Sequence, residues 1–219
     1  MPGLAHERDF QARGFRAVAG LDEAGRGAWA GPVVAGAVML PLERPDLLVA
    51  LDGVRDSKLC SPGERDVLYL TVWEAARATA VGVVSAQEID ELNIIGATQL
   101  AMMRALGALP VRPEALLIDG RRMSLPEAGL PQRSLAAGEL ASLSIAAASI
   151  IAKVTRDWMM IELDGEYPGY GFARHKGYGT PEHVRALSEH GPCPAHRRSF
   201  APIQLSLMDS LFDEDRPGT

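Results

Sequence analysis

The stretch GLDEAGRGAWAGPVVAGAV, residues 20–38, decides the fold, because a glycine-rich turn in it joins two strand-like apolar segments. Residues 16–23 and 33–40 are rich in small and β-branched side chains, which is typical of buried strands. The turn between them predicts an antiparallel hairpin. Further along the chain, short apolar segments alternate with helical ones, and this order predicts an α/β domain with a mixed central sheet.

Capping patterns mark the other predicted elements. Ser61-Pro62-Gly63-Glu64 opens a helix with a capping box and a proline at the first helical position. Similar signals begin helices at Ser85, Asn93 and Thr180. The predicted helices are 61–78, a short one from Ser85, 93–109, 139–163 and 180–190, and the predicted strands are 16–23, 33–40, 80–85 and 115–119.

Composition and charge limit the possible classes of protein. With 219 residues, 47% apolar and 23% charged, the chain has room for one domain with a substantial core. The sequence shows no membrane-length apolar run, no signal peptide and only two cysteines, so we expect a cytoplasmic protein with reduced thiols. A net charge of −6 is weak evidence against a nucleic-acid partner, because the carboxylates of a metal site would themselves lower the formal charge.

Three acids follow apolar strands and are candidate metal ligands. Asp22 and Glu23 end the first strand, and Asp119 ends the strand over 115–119. Each alone also fits a solvated turn, but Asp22 and Asp119 on neighbouring strands would supply the convergent carboxylates that two-metal phosphoryl chemistry needs. Neighbouring side chains of a regular strand face opposite sides, so Glu23 shares a metal only if the strand ends or bulges there, or through its backbone carbonyl.

The glycine-rich turn imitates a dinucleotide-binding fingerprint. Residues 25–30 match G-x-G-x-x-A after a strand, but Gly31, Pro32 and another strand follow instead of a helix. A P-loop is excluded as well, since no Gly-Lys-Ser/Thr follows. What the pattern favours is a loop whose backbone approaches a ligand closely, and beside a metal site that ligand would be a sugar–phosphate backbone.

Two loops have the composition of nucleic-acid contacts, although both also fit ordinary surface turns. In Asp56-Ser57-Lys58, the hydroxyl and the ammonium group could contact phosphate. In residues 175–180, HKGYGT, Lys176 could contact phosphate and Tyr178 could present its ring to a sugar or base. Residues 190–196 have the His/Cys spacing of a zinc site, but two prolines and the lack of a second cluster disfavour that hypothesis.

Together these segments resemble the ribonuclease HII (type 2 ribonuclease H) family. The matching segments cover residues 17–203 in the family's order: GLDEAGRGAWAGPVVAGAV, DSK, EIDELNIIGATQLAM, LLIDG, SIAAASIIAKVTRD, HKGYGTPEH and HRRSFAPI. The resemblance implies a ribonuclease H-like fold with a five-stranded mixed sheet flanked by helices. It also implies a catalytic domain over 16–203, with a helical, substrate-contacting C-terminal region over 165–203. Residues 1–15 and 204–219 are expected to be flexible termini.

The implied activity is an endonuclease that depends on Mn²⁺ or Mg²⁺. It would cleave the RNA strand of RNA–DNA hybrids and cut on the 5′ side of ribonucleotides embedded in duplex DNA. The products would carry 3′-hydroxyl and 5′-phosphate ends, and the reaction would begin ribonucleotide removal during replication and repair. The expected partner is nucleic acid rather than a membrane, and the expected state is a monomer.

The resemblance also assigns roles to single residues. Asp22, Glu23 and Asp119 fall on the family's metal-binding acids. The backbone of Gly25-Arg26-Gly27 falls on the loop that senses the 2′-hydroxyl, the group by which RNA differs from DNA. Tyr178 falls on the tyrosine that packs at the RNA–DNA junction. The basic side chains expected to position the phosphate backbone are those of Arg26, Lys58 and Lys176.

One departure from the family concerns its fourth acid. The family has a Lys-Gly-Asp segment where this chain has Ala137-Gly138-Glu139. Glu139 is therefore the expected fourth catalytic acid, with a reach longer by one methylene and an altered metal preference or rate. Asp157 also matches a family position, and we expect it to support the site from behind or to be structural.

Two rival hypotheses remain open from sequence. One is a DNA 3′-exonuclease or junction nuclease on the same fold, which digestion of an all-DNA duplex would reveal. The other is an inactive hybrid-binding protein, suggested by the loss of the Lys-Gly-Asp segment. The sequence leaves open the preferred metal, the preference for single ribonucleotides over long hybrids, and whether the 205–219 tail binds a partner such as a sliding clamp.

Overall fold

The computed structural model describes residues 2–55, 57 and 60–214, with side chains to residue 207. Its strands are β1 Val18–Ala24, β2 Val33–Met39, β3 Ala78–Val84, β4 Ala115–Asp119 and β5 Gln132–Leu135. Its helices are α1 Ala5–Ala12, α2 Leu47–Ala50, α3 Pro62–Ala75, α4 Ala86–Ala108, α5 Gly138–Ala141, α6 Leu143–Glu166, α7 Phe172–His175, α8 Pro181–His190 and α9 Ala201–Glu214. None of these described helices is long and apolar enough to cross a membrane.

The five strands form one mixed sheet in the order β3-β2-β1-β4-β5. β1 pairs antiparallel with β2, which confirms the predicted hairpin, and it pairs parallel with β4 on its other side. β4 in turn pairs parallel with β5. The α/β class and the five-stranded mixed sheet are therefore confirmed, and the carboxyl ends of β1, β4 and β5 lie at the same edge of the sheet.

The chain divides into two compact units. The first comprises residues 1–24, 34–83 and 98–155, and it contains the sheet. The second comprises residues 25–33, 84–97 and 156–219. The sequence set apart only 165–203 as a C-terminal region, whereas this second unit also includes two segments from much earlier in the chain.

In the first unit, α6 packs on the sheet at very short range. A Cβ at Gly20 would lie 2.2 Å from the backbone carbon of Ser144, and one at Gly36 would lie 2.4 Å from the carbonyl oxygen of Ala148. The small residues of the predicted Ala/Ile-rich helix therefore permit close packing on the sheet, as the sequence indicates.

The helix starts predicted from capping signals are confirmed. The hydroxyl of Ser61 and the side chain of Glu64 form the complete capping box of α3. Ser85 and Glu88 form the same reciprocal pair, with bonds of 2.9 and 3.2 Å. Within α4, Asn93 is non-helical with φ 62°, and its side chain accepts a hydrogen bond of 2.9 Å from the amide of Ile95. Asn93 thus starts a new helix, as expected.

Two expectations need correction. The predicted helix 139–163 is interrupted at Ser142, whose extended backbone (φ −122°, ψ 125°) separates α5 from α6, so that Glu139 sits on its own short helix. Residues 1–15 are not a loose end, because α1 buries Phe10 to 1% exposure. The segment from 204 lies in α9, which ends at Glu214, and the flexibility of 204–219 stays a prediction.

Candidate active site

Three neighbouring parallel strands bring acids to one edge of the sheet. The register pairs Leu21 with Ile118, so the next residues, Asp22 and Asp119, lie side by side at the strand ends. Asp119 pairs in turn with Leu135 at the end of β5, and the turn that carries Glu139 follows. The topology therefore brings together Asp22, Asp119 and Glu139, which the sequence predicted as site residues.

Asp22 is a buried carboxylate surrounded by like charge. It is only 7% exposed, and its pKa is raised well above the usual aspartate value by burial first and then by the charges of Glu23 and Asp119. The opposing influences are weaker: a hydrogen bond with the side chain of Ser149 and one of 2.8 Å from the backbone amide of Glu23. A bound cation is the natural compensation for such a group.

Glu23 does not share the orientation of Asp22. The β1–β2 register runs without a bulge from Ala19 to Ala24, so β1 neither ends nor bulges at Glu23. Successive side chains of a regular strand face opposite sides of the sheet. Of the ways in which Glu23 was expected to reach the metal, its backbone carbonyl is therefore the one this register favours.

The turn that carries Glu139 is hydrogen-bonded to Asp119. The amide of Gly138 donates to Oδ1 of Asp119 at 2.7 Å. A Cβ at Gly138 would lie 2.7 Å from Cδ1 of Ile145 and 3.2 Å from Oδ1 of Asp119, so a larger residue would press on both, and the preceding Ala137 adopts φ 51°. Glu139 itself is buried, with 8% exposure. Glu139, the expected fourth acid, thus directly follows the glycine that donates to Asp119.

The donor set at this edge suits a hard divalent cation. Aspartate and glutamate oxygens are the ligands that Mg²⁺ and Mn²⁺ prefer. Among the described residues, no three carboxylate, imidazole or thiol groups form a cluster that could hold a metal ion. Uncompensated carboxylates repel one another, and a divalent cation would offset that repulsion.

Ser57 is linked to Asp22 through a serine that sequence reasoning missed. Its hydroxyl is buried, with 3% exposure, and lies 3.0 Å from Oγ of Ser149, whose side chain also hydrogen-bonds Asp22. A phosphate contact by Ser57 remains a prediction, and this burial does not favour it. Lys58 lies outside the described residues. The signal for Ser149 was a hydroxyl within an otherwise Ala/Ile-rich helix.

In the second unit, two buried arginines donate hydrogen bonds to the backbone of the glycine loop, residues 25–32. Arg156 donates to the carbonyls of Pro32, Ala30 and Lys176, at 2.9, 3.2 and 2.9 Å. Arg197 donates to the carbonyls of Gly31, Arg26, Gly25 and Pro32, at 3.0, 3.1, 2.7 and 3.1 Å. Both arginines are fully buried. Burial lowers the pKa of Arg156, and burial together with the charge of Arg156 lowers that of Arg197 to about 9.

In the same unit, the tyrosine loop, residues 175–180, contacts the glycine loop. The amides of Trp29 and Ala30 donate to the carbonyl of Gly177, at 2.8 and 3.3 Å. Tyr178 is 40% exposed, and the guanidinium of Arg156 lies 5.6 Å from its ring centroid. A Cβ at Gly27 would lie 4.0 Å from Cε1 of Tyr178. The predicted Gly25-Arg26-Gly27 and Tyr178 contacts therefore lie together.

The remaining predicted site residues, Arg26, Lys176 and Asp157, differ in their exposure and contacts. Arg26 is exposed, whereas Lys176 is half-buried, with φ 53° and its ammonium group donating to the carbonyl of Ala173. Asp157 is half-buried on α6, and its charge favours the cationic form of Arg156. These observations agree with a structural role for Asp157 and leave the phosphate contacts of Arg26 and Lys176 as predictions.

A neutral histidine network underlies the tyrosine loop. His183 Nδ1 donates to the carbonyl of Tyr178 at 3.0 Å, and its Nε2 accepts from Nε2 of His196 at 3.0 Å. His196 Nδ1 accepts from the amide of Cys193 at 3.0 Å. Burial lowers the pKa of both histidines to about 4. Their nitrogens are therefore occupied by hydrogen bonds in the neutral state, which does not suit the zinc hypothesis.

Comparison with known proteins agrees with this geometry. A family model described as Ribonuclease HII matches residues 19–203. Ribonuclease HII of Chloroflexus aggregans is 54% identical over 95% of this chain and 97% of its own. The crystal structure of the ribonuclease H2 from Pyrococcus horikoshii superposes with a TM-score of 0.76 at 28% identity, covering 91% of this chain and 100% of that one.

A more distant structure shares the fold alone. It is Bst-RNase HIII in complex with Mn²⁺, with a TM-score of 0.64 at 21% identity, covering 89% of this chain and 70% of that one. The match to the family model spans most of the chain and includes every acid at the sheet edge. The chain therefore belongs to the ribonuclease HII family, and it is an endonuclease of the ribonuclease H type.

Proposed function

We propose that this endonuclease cuts on the 5′ side of ribonucleotides embedded in duplex DNA, as well as RNA in RNA–DNA hybrids, using two divalent cations. The observation that carries the proposal is the buried Asp22 carboxylate, which lies beside Asp119 at the ends of two neighbouring parallel strands and next to Glu23. Such a group is costly to the protein alone and becomes favourable when cations are bound. The products would carry 3′-hydroxyl and 5′-phosphate ends, as expected for an enzyme that starts ribonucleotide removal.

Four acidic residues would bind the cations. The residues that would hold the cations are Asp22, which is influenced by the charges of Glu23 and Asp119, together with Asp119, Glu139 and the carbonyl or carboxylate of Glu23. The two ions would supply Lewis-acid activation of water and charge stabilisation at the departing 3′-oxygen. Mn²⁺ or Mg²⁺ fits the oxygen donors, and the fold relative with Mn²⁺ supports the choice.

Recognition of the ribonucleotide would fall to the glycine loop. Arg156 and Arg197 engage the loop carbonyls, and this leaves the backbone of Gly25-Arg26-Gly27 fixed for contact with a 2′-hydroxyl. Tyr178 would pack its exposed ring against the nucleotide at the RNA–DNA junction. Because these groups contact sugar and backbone, the specificity would be for RNA rather than for base sequence.

Replacement of Asp22 with Asn tests the proposal. We expect turnover of a DNA duplex with one ribonucleotide to fall by about 10³-fold or more, because the loss of a charged metal ligand removes most of the stabilisation that the cations provide. Gel-shift affinity for the same duplex should change little. The matched control is Asp52→Asn, an exposed acid of the same unit, which should cleave normally.

The test has clear contrary outcomes. Normal turnover by Asp22→Asn would remove Asp22 from the site. Equal cleavage of an all-DNA duplex by the unaltered protein would favour the rival DNA-nuclease hypothesis instead. Mapping the product ends by denaturing electrophoresis distinguishes a 5′-side cut from cleavage elsewhere. We further expect a monomer in light scattering, and action in the cytoplasm, where its duplex substrate would be.

A further inference from the structure

A buried carboxylate that is not among the acids at the sheet edge joins the N-terminal helix to the start of α6. Glu7 of α1 is fully buried. Its Oε1 accepts three hydrogen bonds: 2.6 Å from Oγ of Ser142, 2.9 Å from the amide of Ser144 and 2.7 Å from Oγ of Ser144. No role in the chemistry above accounts for this carboxylate.

These contacts complete the N-terminus of a long helix. The first amides of a helix lack intrahelical partners, and the helix dipole favours an anion there. The amide of Leu143 donates to the carbonyl of Gly3 at 2.9 Å, so residues from one short N-terminal segment satisfy both of the first two amides of α6. The N-terminus of α6 thus presents both hydroxyl and amide donors to Oε1 of Glu7.

The same contacts fix the break that gives Glu139 its direction. Ser142 is both the last residue before α6 and the residue after α5, and its amide donates to the carbonyl of Gly138 at 2.8 Å. Gly138 in turn donates to Asp119. A continuous chain of hydrogen bonds thus runs from Glu7 through Ser142 and Gly138 to a metal-binding acid. If Ser142 became helical, α5 and α6 would merge and Glu139 would turn with them.

We propose that Glu7 is a positioning residue for the active site: by holding the extended backbone of Ser142, it directs the four-residue helix α5 and thereby Glu139. This inference rests on the proposed role of Glu139 as the fourth acid. It makes α1 part of the catalytic architecture, although no residue of α1 is expected to touch substrate or metal.

The test combines two variants of Glu7 with a double-mutant cycle. Glu7→Ala should lower turnover about tenfold and raise the Mn²⁺ concentration for half-maximal cleavage, the scale typical of groups that orient metal ligands. Glu7→Gln keeps one acceptor oxygen but loses the charge, so its effect should be smaller. In a Glu139→Ala background, Glu7→Ala should have almost no further effect, because the residue through which it acts is gone.

A structural readout and a matched control separate positioning from simple stabilisation. Hydrogen exchange of the amides over 138–142 should accelerate in Glu7→Gln. Phe10→Leu weakens the same helix through its apolar contacts with Val18, Leu117 and Ile145, without touching Ser142. At temperatures well below unfolding, Phe10→Leu should leave both that exchange and the Mn²⁺ requirement unchanged.

Each contrary result has a distinct meaning. An impaired Glu139→Ala enzyme in which Glu7→Ala causes the same fold-loss as in the unaltered protein would overturn the inference alone. A Glu139→Ala enzyme with full cleavage would overturn the fourth-acid role and the inference with it. Equal effects of Phe10→Leu and Glu7→Gln would show that Glu7 only stabilises the fold.

Discussion

The acids at the sheet edge and the arginines under the glycine loop solve opposite electrostatic problems. Asp22 is buried beside Glu23 and Asp119, and nothing in its surroundings brings the pKa back to its usual value. Arg156 and Arg197 are buried side by side as cations, yet seven hydrogen bonds to backbone carbonyls accommodate them. The acidic region needs a ligand to become favourable, whereas the arginine region is complete without one.

The comparison suggests how each region contributes to the enzyme. A loop whose carbonyls are already occupied loses little conformational entropy when substrate arrives, which favours recognition. A cluster of repelling carboxylates binds cations well because it is unfavourable without them, and its geometry can respond to the bound ion. On the proposed function, the loop that contacts the sugar is therefore fixed before substrate arrives, whereas the acids depend on bound cations for their stability.

The largest expected loss of stability comes from replacing one of the two buried arginines under the glycine loop. Arg197→Lys keeps the charge but cannot reach all four carbonyls, and buried acceptors without partners cost about 1–3 kcal/mol each. We expect the free energy of unfolding to fall by at least about 2 kcal/mol in urea titrations, with loss of the preference for ribonucleotide-containing duplex. The exposed neighbour gives the matched control, Arg198→Lys, which should change neither quantity. An unaltered stability for Arg197→Lys would mean that the carbonyl contacts contribute little.

Removing the charge at Asp22 should raise the stability of the metal-free protein, whereas Arg197→Lys should lower it. Because its pKa is raised in the folded protein, stability is greatest below the ordinary aspartate value of about 4 and is lost as pH rises through the raised pKa. Metal-free Asp22→Asn should therefore be more stable than the unaltered protein at neutral pH, by about 2–4 °C in Tm for each kcal/mol gained. Mn²⁺ should raise the Tm of the unaltered protein but hardly that of the variant. A variant less stable in chelator would contradict the electrostatic account.

The histidine network of the second unit should show the reverse dependence on pH. His183 and His196 have pKa values lowered to about 4, so the unfolded chain binds protons first as pH falls. The stability they contribute is complete above the unfolded value of about 6.5 and is lost between about 6.5 and 4. Urea midpoints followed from pH 7 to 5 should fall, and His196→Gln should flatten that slope while His190→Gln, at an exposed position, should not. A slope unchanged by His196→Gln would assign the acid sensitivity elsewhere.

The smallest expected effect tests the hydroxyl beside Asp22. Ser149→Ala removes the side-chain hydrogen bond that partly offsets the raised pKa of Asp22. We expect a loss of about 1 kcal/mol in stability and a shift of only a few-fold in the Mn²⁺ concentration for half-maximal cleavage. Ser206→Ala in α9 serves as the control hydroxyl. A loss of turnover as large as that expected for Asp22→Asn would mean that Ser149 takes a direct part in the reaction.

Much of this arrangement could be predicted from local sequence. The strands that carry Asp22 and Asp119 are continuous apolar runs, and capping residues such as Ser61 and Asn93 act within three residues of themselves. Their signals are local, so no knowledge of the fold is needed. The family resemblance then supplied the order of the acids and of the loops.

The missed features depend on partners far away in the sequence. β5 has the mostly polar sequence QRSL and owes its pairing to β4, so no alternation marks it. The break at Ser142 lies in a run of good helix formers and is held by Glu7, 135 residues earlier in the chain. Nothing in the local sequence indicates that Arg156 and Arg197 are buried. Contacts of this kind cannot be recognised from periodicity or capping.

The absence of side chains at Gly20 and Gly36 has a consequence for how this enzyme can diverge. Both glycines face the backbone of α6, at Ser144 and Ala148, so even a methyl group on either would push the helix away from the sheet. That helix carries Ser149 and begins where Glu7 binds. Two positions without any reactive group therefore restrict which sequences can keep this packing, because every residue larger than glycine at either would displace α6.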